Sequence, residues 1–196
     1  MDLSQKGPFA RPADGEAAEP RGCGGGAGGA ASTPEWSERL RETVANAEVP
    51  IHLVGVGNQL RSDDAAGLEV VASLRSKLGP APARGVKIHG WSPSPERLLA
   101  KLSDKPGRIV VFDAVEASRE PGAVVFCGIA DTRYGFFATH NVPLRLVPGI
   151  AAREKDVFLV GIQPESLEVG EGLSDCVKGS VERVVAAVTD GVEKRA

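Results

Sequence analysis

The stretch Ile51-His52-Leu53-Val54-Gly55-Val56-Gly57-Asn58-Gln59-Leu60-Arg61-Ser62-Asp63-Asp64 decides the fold. Its first half is a short apolar run, the pattern of a strand buried in a sheet. Its second half breaks into glycine, asparagine and acids. From Asp64 to Leu78 the apolar residues Leu68, Val71, Leu74 and Leu78 recur at helical spacing, and Ser62 or Asp63 is placed to cap that helix. A buried strand, a polar loop and an amphipathic helix open an α/β unit.

The same alternation continues downstream. Val86-Lys87-Ile88-His89 reads as a short strand, and Pro95 to Leu102 as a short helix. Arg108-Ile109-Val110-Val111-Phe112-Asp113 is the clearest central strand, with Asp113 capping it. Glu120-Pro121-Gly122 signals a turn before the strand Ala123 to Cys127. Asn141 to Val147 suits a helix ended by Pro148 and Gly149. Val157 to Ile162 is the last strand, and Val177 to Val192 a closing helix with Val181, Val184, Val185 and Val188 inward. This order predicts an α/β sandwich around a mostly parallel sheet.

Upstream the composition shifts near Thr33. Residues 1–33 are rich in Gly, Ala and Pro and cannot bury enough apolar surface to offset their ordering entropy, so we expect a disordered tail. Residues 34–48 read as a docking helix. Thr33 caps it, Pro34 opens it, and Trp36, Leu40, Val44 and Ala47 form its apolar stripe. The α/β domain is expected over 50–192.

Composition narrows the function. The 196 residues carry a formal charge of −3, which argues against a basic nucleic-acid footprint or a polybasic membrane surface. No apolar run approaches the ~18–20 residues of a membrane span. The cysteines Cys23, Cys127 and Cys176 are scattered and odd in number, a poor disulfide framework. With no secretory signal pattern at the N-terminus, a cytoplasmic setting is expected.

In open α/β sheets, chemistry gathers at the carboxyl ends of strands. There the sequence places Asp63 and Asp64 after the first strand, His89 after the second, Asp113 on the central one, and His140 in the loop after the fourth. A dinucleotide fingerprint fails, because Leu60 stands at the third glycine position and His89 where an acid is wanted. No P-loop Gly-Lys-Ser/Thr occurs. One acid of the Asp63-Asp64 pair suits a helix cap or a first-turn acid. Asp113, behind four apolar residues, needs a partner. Two carboxylates and an imidazole could hold a divalent transition metal, and two nearby carboxylates could instead share a proton as an aspartic dyad.

These residues resemble a known family. Gly55-Val56-Gly57-Asn58 through Ser62-Asp63-Asp64-Ala65-Ala66-Gly67 looks like the opening motif of the [NiFe]-hydrogenase maturation endopeptidases. Val110-Val111-Phe112-Asp113-Ala114-Val115, with Pro121-Gly122 behind it, is similar to their second acid motif. Thr139-His140-Asn141-Val142-Pro143-Leu144 resembles the histidine motif, especially in the formate-hydrogenlyase branch. Phe158 to Glu165 and Gly172-Leu173-Ser174 resemble the end pattern. The resemblance covers about Ile51 to Val188.

It implies a three-layer α/β/α sandwich with a twisted, mixed sheet of about five strands. It also implies an endopeptidase that removes the C-terminal peptide of a [NiFe]-hydrogenase large-subunit precursor once nickel is inserted. Nickel would arrive with the precursor, leaving the free enzyme metal-free, and the ligands carried over by motif are Asp64, Asp113 and His140. Asp64 and Asp113 would also be the catalytic acids, with Asn58 and the glycines shaping the loop that presents Asp64. One departure stands out. His89-Gly90-Trp91-Ser92 replaces the family's acid with His89 and its second glycine with Trp91, which reshapes the expected cleft. Two other classes fit the same residues: a stand-alone metal-dependent hydrolase, and a chaperone that checks nickel loading without cutting.

Overall fold

The computed structural model describes residues 36–79, 82, 85–92, 94–129, 137–138, 149–150 and 156–195. Its strands are β1 (Ile51–Gly55), β2 (Val86–His89), β3 (Arg108–Glu116), β4 (Val124–Gly128), β5 (Phe137–Ala138) and β6 (Val157–Ile162). Its helices are α1 (Trp36–Ala45), α2 (Ala66–Leu78), α3 (Pro95–Ser103) and α4 (Asp175–Lys194), with a 3₁₀ turn over Ser62–Ala65. Main-chain pairing runs β2-β1-β3-β6-β4, and β5 pairs with β3 alone.

The sheet is parallel from β2 to β6. β4 runs antiparallel against β6, and β5 antiparallel against the end of β3. The fold is therefore the expected α/β/α sandwich with a mixed sheet. On one face α1, α2 and α4 bury Leu40, Val44, Val70, Leu74, Val184 and Val188 against Leu53, Val110, Phe112 and Val160. On the other, Leu99 and Leu102 of α3 pack on Val54, Ile109, Val111 and Leu159. Successive strand residues point to opposite faces, so central strands need apolar residues at every position.

Helix α1 lies on α4, with Leu40 and Val44 fully buried. Carbonyls of its last turn and of the segment after it are met by cations. Arg108 donates to Thr43 O, and Arg195 donates to Val44 O at 3.0 Å and Val49 O at 3.2 Å. The expected cap residues Thr33 and Pro34, the helix at Asn141–Val147 and the proposed tail lie outside the described residues.

Two sequence expectations need correction. Asp113 does not end its strand: β3 continues through Ala114, Val115 and Glu116, and Asp113 pairs in register with Gly161. Neither Ser62 nor Asp63 caps α2. The residue before α2 is Ala65, with no side-chain cap, because the 3₁₀ turn places the acids a turn too early.

Candidate active site at the carboxyl edge of the sheet

The loop after β1 is held by backbone contacts that exclude side chains. Val56 N–H donates to Phe112 O at 2.9 Å, and Asn58 N–H to Asp64 O at 3.1 Å. Gly57 has φ +151°, and a Cβ there would fall on the Asp64 carbonyl oxygen. A Cβ on Gly67 would fall on the carbonyl oxygens of Phe112 and Val56, so only glycine lets α2 start this close to β1 and β3. The Asn58 Oδ1 accepts the Leu60 N–H at 3.0 Å, which turns the chain toward the acids.

Asp63, Asp64 and Asp113 are each at most 2% exposed. Their surroundings differ. The Asp63 carboxylate accepts hydrogen bonds from Glu165 N–H (2.9 Å), Ser166 N–H (3.0 Å), Ser174 N–H (2.7 Å) and the Ser174 hydroxyl (3.0 Å). It ties the loop after β1 to the loop after β6 and to the residue before α4. Ser62 N–H to Gly170 O, Gly170 N–H to Leu60 O and Asp63 N–H to Ser166 O complete that seam.

Asp64, one residue on, is close enough to Asp113 for its charge to act there, and Asp113 lies where β1 has ended and β3 runs on. Burial pushes the Asp113 carboxyl well above the usual carboxylate range, and the Asp64 charge pushes it further. A hydrogen bond from the Ala114 backbone N–H opposes the shift. The structure thus brings together two of the three expected ligands. His140 lies outside the described residues. Among the described residues no group of three or more His, Cys, Asp or Glu is placed to hold a metal ion. The carboxylate pair alone offers two hard oxygen donors, and an imidazole would complete a set that suits nickel.

The other histidines form a separate structure. His52 Nδ1 and His89 Nε2 are 3.0 Å apart in a hydrogen bond, and the rings stack with centroids 5.3 Å apart. His52 is buried on β1 and His89 half-buried at the end of β2. The His89 imidazole is lowered to about 4, first by burial, then by His52 and by the cations Lys105, Lys87 and Arg75.

Two residues carry more than the sequence indicated. Asp63 is a tie between loops rather than a helix cap. The only signal was the second acid beside Asp64, together with Glu165 and Ser174 far downstream. Gln163, seen only as a residue after the last strand, is buried and accepts from Ala117 N–H at 2.8 Å and Arg119 N–H at 3.3 Å. Its amide donates to Glu116 at 3.1 Å, fixing the chain just beyond Asp113.

A carboxylate pair at the carboxyl edge of a mixed α/β/α sheet, beside a glycine-bearing loop, lies where open α/β sheets place their ligand and active sites. The profile of the family described as "HycI: Hydrogenase maturation protease" matches residues 93–191, just over half of the chain. The chain belongs to the hydrogenase maturation protease family. It is similar to the crystal structure of the [NiFe] hydrogenase maturation protease HycI from Thermococcus kodakarensis KOD1. Identity there is 28%, with 79% of this chain and 99% of that one covered and a TM-score of 0.64. Similarity to the endopeptidase HycI from Escherichia coli is 26% identity over 70% of this chain and 87% of that one, with a TM-score of 0.57. The coenzyme F420 hydrogenase subunit delta of Methanothermobacter thermautotrophicus is 26% identical over 155 residues, 75% of this chain and 98% of that protein. No described helix is long and apolar enough to cross a membrane.

Proposed function

We propose that this chain is a nickel-dependent, aspartic-type endopeptidase of the cytoplasm. It removes the C-terminal peptide of a [NiFe]-hydrogenase large-subunit precursor after nickel insertion and recognises the nickel that the precursor carries. The observation that carries this reading is the Asp64–Asp113 pair, two buried carboxyls close enough for one charge to raise the proton affinity of the other. Such repulsion is unfavourable in the free protein, and a divalent cation between the carboxylates relieves it. Binding therefore favours a precursor that presents a metal ion over one that does not. His140 supplies the imidazole in this proposal, and Asp63 with the Gly57 loop holds Asp64 in place. Recognition comes first. Polarisation of the scissile carbonyl by the substrate's nickel comes second, while Asp64 and Asp113 orient the ion and handle the proton of the attacking water.

The test is to mix the purified protein with nickel-loaded and nickel-free precursor and weigh the large subunit by mass spectrometry. The expected result is loss of a C-terminal peptide from the nickel-loaded form alone. Asp64→Asn and Asp113→Asn should each slow that loss by about 100-fold or more. Full processing by the Asp113→Asn variant sinks the assignment. Binding without any mass change would favour the checkpoint chaperone, and tightly held metal in the isolated protein would favour the stand-alone hydrolase.

A further inference from the structure

A cavity of about 340 Å³ opens between the loop after β1 and the loop after β2, lined by the Gly57 main chain that packs on the Asp64 carbonyl. Gly57 and Asn58 form one wall, Trp91 and Ser92 the other, and Leu68 and Pro95 close it. Asn58 is hydrogen-bonded to the Asp64 carbonyl, so the cavity begins at the residue that fixes Asp64. Trp91 is 65% exposed, an unusual state for an indole. Among the described residues the large exposed apolar side chains are Val49, Leu60 (67%), Trp91 and Val169 (87%). All but Val49 lie on loops at this edge of the sheet. The segments that carry Leu60 and Val169 meet, because Gly170 N–H donates to Leu60 O.

The occupant is indicated by the walls. Gly55 and Gly57 have no side chains, so the wall they line presents main-chain atoms to the cavity. An extended peptide uses such groups for its main chain and fills the space between them with alternate side chains. We infer that this cavity seats an apolar side chain of the precursor's extended segment beside the cleaved bond, and that Trp91 sets the selectivity of that seat. The inference rests on the endopeptidase reading. An aromatic wall buries a large apolar area against the incoming residue, and exposed aromatics of this kind carry much of the binding at protein interfaces.

The experiment follows processing of the nickel-loaded precursor from the same organism by wild type, Trp91→Ala, Trp91→Phe and Asp113→Asn. The exposure of Trp91 leaves the core intact in its variants, which circular dichroism verifies. Trp91→Ala should lower kcat/KM about tenfold or more through KM, with Trp91→Phe recovering most of the loss. In a Trp36→Phe background, which keeps both carboxylates, Trp91 emission should shift to the blue on adding nickel-loaded precursor. Unchanged kcat/KM in Trp91→Ala, with Asp113→Asn inactive, overturns the seat and leaves the endopeptidase standing. A loss confined to kcat overturns it too. No processing by wild type overturns both.

Discussion

Asp63 and Asp64 are adjacent in the chain and equally buried, yet they belong to opposite kinds of environment. The seam between the loops after β1 and β6 surrounds Asp63 with four donors between 2.7 and 3.0 Å. Across the gap between the two carboxyls, Asp64 is set against Asp113. The first arrangement is what a buried charge needs to be stable. The second is what a fold avoids unless something else is to bind there. The seam makes the frame rigid so that the gap can stay unfavourable. Removing a carboxyl should therefore have opposite signs for stability in the two regions.

The largest effect is expected in the seam. Asp63→Ala leaves three backbone N–H groups and a hydroxyl without their acceptor, and should destabilise the fold by about 3 kcal/mol or more. Asp63→Asn keeps one acceptor oxygen and should lose less. Urea unfolding at neutral pH measures both, and wild-type midpoints in Asp63→Ala would mean the seam does not hold the loops. In the gap the sign reverses. Asp113→Asn removes a carboxyl that burial and Asp64 both oppose, and should stabilise the free protein by about 1 kcal/mol while processing is lost. A thermal midpoint below wild type would show that Asp113 supports the fold.

The frame was largely legible in the sequence, and the contrast was not. β1, β3 and β6 announce themselves because strands buried on both faces need unbroken apolar runs. The valines of α4 recur at helical spacing and are buried together. β3 reads short because Asp113 interrupts its apolar run, although Ala114 and Val115 are as buried as the residues before it. The two-residue β5 carries no periodicity at all. Asp64 and Asp113 stand out because Asp64 lies in the polar loop after one apolar run and Asp113 directly follows another. The resemblance singled out Asp64, but giving Asp63 its own role required knowing that a 3₁₀ turn, not the first turn of α2, holds them. It also required the contacts with Glu165, Ser166 and Ser174, more than a hundred residues away. Such contacts depend on the register of β6 against β3, which no local pattern encodes. The meeting of His52 and His89 was hidden for a similar reason. Their strands pair His52 with Lys87 and Val54 with His89, so the histidines touch only on the diagonal.

That histidine pair extends the comparison to a base, and gives the smallest expected effect. His89 titrates near 4 in the fold and near 6.5 in the unfolded chain. Burial is the main cause, and His52, Lys105, Lys87 and Arg75 add to it. Between pH 6.5 and 4 the unfolded chain takes up a proton that the native imidazole refuses. The stability tied to neutral His89 is therefore complete above about pH 6.5 and is lost as pH falls through that window. Half-exposure of the ring softens the effect, since water screens the nearby cations. His89→Gln stays neutral and keeps a hydrogen-bonding side chain near His52. Urea midpoints from pH 7 to 4.5 should fall more steeply in wild type than in His89→Gln, the carboxylates contributing equally to both. Parallel curves would mean that His89 is not held neutral by its surroundings, and that the penalty for buried charge is confined to the carboxylate gap.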